Sequence, residues 1–446
     1  MNGLLQRLRG GALMARVMRS GAWIVLGYGG SQILRLASNL ILTRLLFPEA
    51  FGLMALISLV TVGLTLFSDV GIAPSIAQSK RGDDPDFLNT AWSIQVIRGI
   101  ILWGIAVALA VPMAWFYDAP DLQVYLPVAA LMLVIAGFNP TRIETAHRHL
   151  LMGRLTVLDL LSQAIGIAAM IGLALVWQSV AALVVGGVIS ALAKLVLTWA
   201  FLPGQANRFR WEPAAVRELV SFGKWIFMST VCWFFASQGD KAVLGKFLSL
   251  ESLGIYNIGY FLASFPLLLG SAVTGRVMIP VYRDAKEQRA KIARLRYGLS
   301  GGIIALLAGM AIFGPWLVDV LYDARYAQAG GIVTLLAVAL VPQVIGITYD
   351  QAALAAGDSR RFFVLTAVRA VLQVSLLIAG VSAYGIVGAI VGIGIAQVVT
   401  HAAVIWLARC HGVWDMRHDA VAAGAGAALI ALALWINRDA LVLLMP

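Results

Sequence analysis

The sequence predicts an all-α integral membrane protein with about twelve to fourteen transmembrane helices, and three observations predict it. Hydrophobic residues make up 61% of the 446 and charged residues only 12%. With a mean hydropathy of +0.88, the chain carries more apolar surface than a water-soluble domain can hide. Apolar runs of spanning length recur along its whole length, and each crossing of a roughly 30 Å hydrocarbon core takes about 20 residues. The cations, finally, gather in alternate connections, as they do in polytopic proteins.

Residues 1–20 come first, with Arg7, Arg9, Arg16 and Arg19 set among Leu4, Leu5, Leu8, Leu13, Met14 and Val17. This is the composition of a cytoplasmic amphipathic segment on an anionic leaflet. The next stretch is of full spanning length and no small-residue cleavage site follows it, which argues against a cleavable signal peptide. Hydropathy places helices at 21–43, 52–77, 91–115, 123–138, 155–177 and 180–202. A second set follows at 223–247, 253–280, 298–321, 329–351, 362–382 and 385–408, with a thirteenth at 420–436. Residues 441–446 are too short to span, so the side on which the C-terminus ends stays open. The longest connection, 283–296, has no room for a catalytic domain, and function must lie among the helices.

With the N-terminus inside, 22 of the 33 Lys and Arg fall on the cytoplasmic side, 4 outside (Arg44, Lys246, Arg325 and Arg438) and 7 within helices. The positive-inside rule accounts for that asymmetry and for the net charge of +11, so nucleic-acid binding is not needed to explain it.

An internal repeat stands at an offset of 202. Gly21, Trp23, Ile24, Leu42, Leu46, Glu49 and Gly52 match Gly223, Trp225, Ile226, Leu244, Leu248, Glu251 and Gly254 without a gap. The repeat predicts two pseudo-symmetric six-helix lobes in one orientation, 21–204 and 223–409, joined by a cytoplasmic linker, 205–222, and followed by an additional transmembrane segment, 410–446. Lobes related by an axis along the membrane normal suit alternating access around a central cavity.

Ionisable side chains in hydrocarbon cost roughly 3 kcal/mol or more and mark wet cavities or partners. In the first helix Tyr28, Gln32, Arg35 and Asn39 form one stripe at helical spacing. In the second, Ser58, Thr61, Thr65 and Ser68 form another that ends beside Asp69. The seventh presents Ser237, Asp240 and Lys241, and the repeat aligns Lys241 with Asn39. The eleventh carries Thr366, Arg369 and Gln373. Arg98, in the third, reads either as a cavity residue or as a snorkelling one. Lys194, Lys224 and Arg276 read as snorkelling or interfacial, Asp159 and Asp350 as helix-end residues. Asp240 and Lys241 admit a second reading as a buried pair that fixes packing. Seven intramembrane cations against four carboxylates leave a positive excess that suits an anionic substrate, and guanidinium groups suit phosphates.

Chemistry of other kinds finds no support. Cys232 and Cys410 offer neither a disulfide framework nor metal-ligand spacing. His401 stands alone in a helix, no Walker-type loop is present, and neither a catalytic set, a metal nor a cofactor is expected.

The runs LTRLLFPEAFGLMALISLVTVGLTLFSDVGIAPSIAQ (42–78), LNTAWSIQVIRGIILWGIAV (88–107) and HRHLLMGRLTVLDLLSQAIGIAAM (147–170) resemble polysaccharide transporters. Their superfamily, called MOP, also holds the multidrug exporters known as MATE and the lipid II flippase, and the likeness is strongest to Wzx and WzxC oligosaccharide flippases. It covers roughly the whole chain and weakens after about residue 300. The resemblance implies two lobes around a V-shaped cavity in the bacterial inner membrane. It implies movement of a polyprenyl-pyrophosphate-linked oligosaccharide, a surface polysaccharide repeat unit such as serves lipopolysaccharide or exopolysaccharide, between leaflets. The partners implied are that substrate, membrane lipids and polysaccharide polymerase or export machinery. The pyrophosphate role falls on Arg35 first, beside Gln32 and Asn39, then on Arg98, Lys241 and Arg369, and ion coupling on Asp69 and Asp240. The rival is a cation-coupled multidrug exporter. A glycan polymerase or ligase ranks below it, because the outward turns are short.

Overall fold

The computed structural model describes residues 2–69, 71–284 and 289–444, and among these the regular structure is helical, without strands. In chain order the helices are α1 (Asn2–Leu45), α2 (Pro48–Phe67), α3 (Ile72–Gln78), α4 (Pro85–Phe116), α5 (Leu122–Gly137), α6 (Arg142–Arg148), α7 (Met152–Trp177) and α8 (Val180–Phe201). There follow α9 (Pro213–Phe247), α10 (Leu250–Asp284), α11 (Arg289–Leu321), α12 (Gln328–Ala355), α13 (Ser359–Cys410), α14 (Met416–Ile436) and α15 (Arg438–Val442). Among the described residues nine helices are long and apolar enough to cross a membrane, and α5 with α6, bent by 62° between them, makes a tenth. The chain is a multi-pass membrane protein. Helix is the economical answer in hydrocarbon, because each backbone N–H and C=O finds its partner within the same segment.

α13 is one helix by hydrogen bonding but two by course. At Tyr384 (φ −141°, ψ 30°) and Gly385 (φ 55°, ψ −140°) the backbone leaves the helix, and the second of these conformations is open only to glycine. This is the break expected between 382 and 385. A Cβ on Gly380 would lie 2.0 Å from the carbonyl oxygen of Gly388, and one on Gly392 would lie 2.3 Å from that of Leu376. Residues eight and sixteen apart meet only if the chain has folded back on itself. Gly388 and Gly392 form a small-xxx-small pattern that lets the two backbones approach so closely.

Contacts divide the chain into two compact units, one of Met1–Phe47 with Val60–Thr230, the other of Pro48–Leu59 with Val231–Pro446. In the first, α4 packs on α5, α7 on α8, α5 on α8, and α1 lies along α7. In the second, α12 is the central helix: it packs against α10, α11, α13 and α14, and 78% of its most apolar stretch is buried, against 22% for α14. The repeat-matched glycines meet in this unit. A Cβ on Gly52 would sit 1.9 Å from the Leu250 oxygen, and one on Gly254 2.0 Å from the Pro48 oxygen. Neither position tolerates a side chain, a physical reason for glycine at both ends of the offset.

Two sequence expectations change. α10 runs to Asp284 and α11 begins at Arg289, so most of the segment 283–296 is helix: charged residues extend a helix past its apolar stretch without ending it. The linker 205–222 likewise ends where α9 begins at Pro213. The side chains of residues 1–20, on which the amphipathic reading rests, and those of Lys224 and Arg276 lie outside the described residues.

What remains of the linker is strapped to α4. Asn89 Oδ1, Ser93 Oγ and Thr90 Oγ1 accept from the backbone N–H groups of Arg208 (3.0 Å), Arg210 (3.0 Å) and Glu212 (3.2 Å). Arg81 donates to Glu212 at 2.7 Å and to Asp84 at 2.6 Å. Hydrogen bonding from Arg81 holds the Asp84 carboxyl below its ordinary range. Hydrogen bonding from His149, 2.8 Å away, does the same for Asp83 with help from Arg148.

Gly388→Leu is expected to destabilise the protein by about 1–3 kcal/mol or more through overpacking. Gly309→Ala, in open space, should be neutral or stabilising by about 0.5 kcal/mol. Thermal melting in detergent compares them. The carboxyls of Asp83 and Asp84 titrate below their unfolded values. Their stabilisation is therefore full above the ordinary carboxylate range, about pH 4, and is lost as pH falls through the lowered folded values. Melting temperature followed from about pH 6 to pH 3 should drop less steeply in D83N/D84N than in the wild type.

Candidate functional site

α1 exposes two different faces. Leu26 (63%) and Ile33 (70%) are exposed apolar residues, as expected of a surface against lipid. Arg35 is exposed too, and Tyr28, Gln32 and Asn39 flank it, partly or largely accessible. At 100° per residue this polar stripe lies roughly 140° around the helix from Ile33. A polar face away from the lipid-facing one needs water or a polar ligand. Ser38 and Leu42 are buried, Leu42 two turns beyond Arg35 on nearly the same side, so the accessible stripe ends before it; the Ser31 carbonyl accepts from Gln163 of α7 at 3.4 Å.

Arg98 has a different occupation. Its Nε donates to Ser68 Oγ at 2.9 Å and its Nη2 to the Thr65 carbonyl at 2.6 Å, so the guanidinium closes the C-terminal end of α2, where carbonyls lack helical partners and a cation is favoured. The stripe on α2 turns inward as well: Thr65 and Ser68 donate to the carbonyls of Thr61 (2.8 Å) and Leu64 (2.6 Å), four residues back. Beyond Ser68, Asp69 Oδ1 accepts from the Gly71 N–H at 2.8 Å, and Gly71, at φ 65°, starts α3.

Arg98 and Asp69 line one cavity of about 250 Å³ with Gln95, Thr65 and Glu144. Glu144 is the acid that hydropathy misses, because Pro140 ends the preceding helix and the residue reads as loop. The bend between α5 and α6 carries it to the cavity. Gly99 and Gly137 make room, since a Cβ on Gly99 would lie 2.6 Å from the Leu133 oxygen. Gln32, Arg35 and Asn39 do not contribute to this lining.

In the second unit Asp240, 2% exposed, accepts from the Tyr256 hydroxyl at 2.9 Å and its other oxygen lacks a partner. Lys241 turns elsewhere, to Gln238 at 3.3 Å and to the Tyr260 ring at 5.7 Å. The two neighbours are not an ion pair, since adjacent helix residues point about 100° apart. Arg369 pairs with Asp350 at 3.1 Å, both about 15% exposed. Gln373 donates to the Ala236 carbonyl at 3.3 Å, which puts the α13 row beside α9. Asp350 and Asp159 are therefore partners, not bare helix ends, the latter holding Lys194 at 2.9 Å. Two of the seven cations thus sit on two of the four carboxylates already set against them, which leaves the net excess as it was. Nor does His401 stand alone: its Nε2 is 3.2 Å from Asp419.

The profile of a family described as polysaccharide biosynthesis protein matches residues 41–330. The chain belongs to that family. Among curated members of similar sequence, the teichuronic acid biosynthesis protein TuaB of Bacillus subtilis (strain 168) is 21% identical over 64% of this chain and 60% of its own length. The match thus spans less than two thirds of that relative. The succinoglycan biosynthesis transport protein ExoT of Rhizobium meliloti (strain 1021) is 24% identical over 88% of this chain and 80% of its own length. The inward closed structure of the lipid II flippase MurJ superposes with a TM-score of 0.72, covering 94% of this chain and 97% of that one at 10% identity. That last likeness establishes the fold.

For this family member, Arg98→Ala should cost about 2–3 kcal/mol, the loss of charge-assisted bonds to the end of α2. Ser68→Ala, which removes one of those bonds, should cost about 1 kcal/mol. R98K should fall between the two, because an ammonium cannot reproduce the fork. Denaturation midpoints in detergent measure all three.

Proposed function

We propose that the protein is a flippase that carries a polyprenyl-pyrophosphate-linked oligosaccharide from the inner to the outer leaflet of the bacterial cytoplasmic membrane. The N-terminus lies in the cytoplasm and the motion is alternating access. The observation that carries this reading is the second exposed face of α1, where Gln32, Arg35 and Asn39 present a guanidinium and two amides away from the lipid-facing residues. A planar donor fork with amides beside it suits a pyrophosphate, and the sugar hydroxyls need the same hydration. Membership of a polysaccharide biosynthesis family and likeness to a protein named for succinoglycan transport support the same substrate class. No covalent step is required; the lipid tail stays in the bilayer while the headgroup passes.

Arg98 serves this reading as a positioning residue. It fixes the turn that holds Asp69, and Asp69 with Glu144 supplies a place in the first unit for a coupling cation or proton. Asp240, with one oxygen unpartnered, is the counterpart in the second. Lys241 and Arg369 take secondary roles, the latter already neutralised by Asp350. A polymerase or export complex would receive the product at the outer face.

In a deletion strain complemented at equal expression, Arg35→Ala should lower surface glycan export at least tenfold, a loss of about 1.4 kcal/mol or more, with lipid-linked oligosaccharide accumulating inside. R35K should restore part of it. Full export by R35A would remove the pyrophosphate role, and drug efflux independent of glycan synthesis would select the multidrug-exporter reading instead.

A further inference from the structure

A second polar cluster, buried and unrelated to the site above, is built by α11, α12, α13, α14 and the turn between the last two. Asp419, in the first turn of α14, has its side chain only 12% exposed, and four donors face its carboxylate. Oδ1 accepts from the Tyr349 hydroxyl at 2.7 Å and lies 3.1 Å from His418 Nδ1. Oδ2 accepts from Trp414 Nε1 at 3.0 Å and lies 3.2 Å from His401 Nε2.

His418 is fully buried, and its Nε2 is 2.8 Å from Ser300 Oγ. The Ser300 hydroxyl donates back along α11 to the Arg296 carbonyl at 2.7 Å. A hydroxyl has one proton to give. With that proton on the Arg296 carbonyl, Nε2 must bring its own to Ser300. A carboxylate only accepts, so Nδ1 must bring the other to Asp419. Both ring nitrogens then carry hydrogen, and His418 is an imidazolium. His401 differs, for it donates through Nε2 while its buried Nδ1 has no partner, the pattern of a neutral ring.

We infer that His418 and Asp419 form a buried proton-binding site, and that the bound proton ties the first turn of α14 to α11. The charged surroundings balance. Arg296, 2% exposed, lies 4.4 Å over the Tyr349 ring and 3.8 Å from Asp415. Asp415 caps α14 by accepting from the N–H groups of Arg417 and His418, both at 3.1 Å. The Tyr297 ring meets His418 edge-on at 5.1 Å. Two cations thus face two carboxylates. Removing the proton leaves either Ser300 or Asp419 without its donor, and the junction of α14 with α11 loosens. The transport reading plays no part in this inference, and either can fail alone.

The test uses the full chain in lipid nanodiscs, labelled with nitrogen-15 histidine, with His147, His149 and His411 replaced by Asn so that two rings report. At about pH 7 one ring should show both nitrogens protonated and the other Nε2 alone, and the first should lose its Nε2 proton on alkalinisation. D419N should abolish the doubly protonated signal at the same pH. S300A should move its loss to lower pH by about one unit, the worth of one charged hydrogen bond. A His418 ring protonated only at Nδ1, accepting from Ser300, overturns the inference. So does a doubly protonated ring that persists in D419N. Should D419N fail to fold, an S300A protein that titrates like its parent overturns it equally.

Discussion

An arginine inside a hydrocarbon layer has to bring hydrogen-bond acceptors with it, and the kind of acceptor decides how much of its charge is left for anything else. Arg369 takes a carboxylate, Asp350, at 3.1 Å, and Lys194 takes Asp159 at 2.9 Å. Those pairs are neutral and serve packing. Arg98 takes a hydroxyl and a backbone carbonyl, so its charge persists in a small cavity while its geometry is committed to the end of α2. The local fold of the first unit hangs on that choice: the guanidinium holds Ser68, the next residue is Asp69, and Asp69 hydrogen-bonds the glycine that opens α3.

Much of this architecture was legible from hydropathy. Twelve of the thirteen apolar stretches fall on helices in the expected order, while 52–77 divides between α2, which ends at Phe67, and α3, which starts at Ile72; the division of α13 was readable at Gly385, because a glycine between two spanning stretches marks a backbone that leaves the helix. What stayed hidden has physical causes. The short helices α3 and α6 are seven residues each, shorter than any window that detects a span. The extensions of α10 and α11 past their apolar stretches are charged helix, which hydropathy reads as loop. Glycine patterning was visible but silent: Gly388 and Gly392 stand at the spacing of a close helix contact, and the repeat pairs Gly52 with Gly254, yet only the fold brings either pair to a facing carbonyl.

The candidate site was legible in kind and not in partner. Side-chain stripes follow from the helical period alone, so Gln32, Arg35 and Asn39 could be grouped from sequence. Partners follow from tertiary contact, so which cation each acid answers could not be read: nothing local tells that Asp350 answers Arg369, nineteen residues away, or that Asp159 answers Lys194. Glu144 and Asp419 were missed for the same reason. Each is an acid just past a helix break, where sequence reads solvent and the fold supplies a wall.

Comparison of four acids, Asp419, Asp240, Asp69 and Glu144, separates structural from adaptable polar groups. Asp419 faces four donors, and an acceptor so saturated resists exchange of partner unless a proton moves. Asp240 has one donor and one vacant oxygen, and Asp69 and Glu144 line open volume. A transported or coupled ion must displace something weaker than itself, and a carboxylate with unused lone pairs in a cavity is the cheaper place to do so. Saturation thus assigns Asp419 to holding helices together and distinguishes it from Asp69, Glu144 and Asp240, whose carboxylates keep unused acceptor capacity.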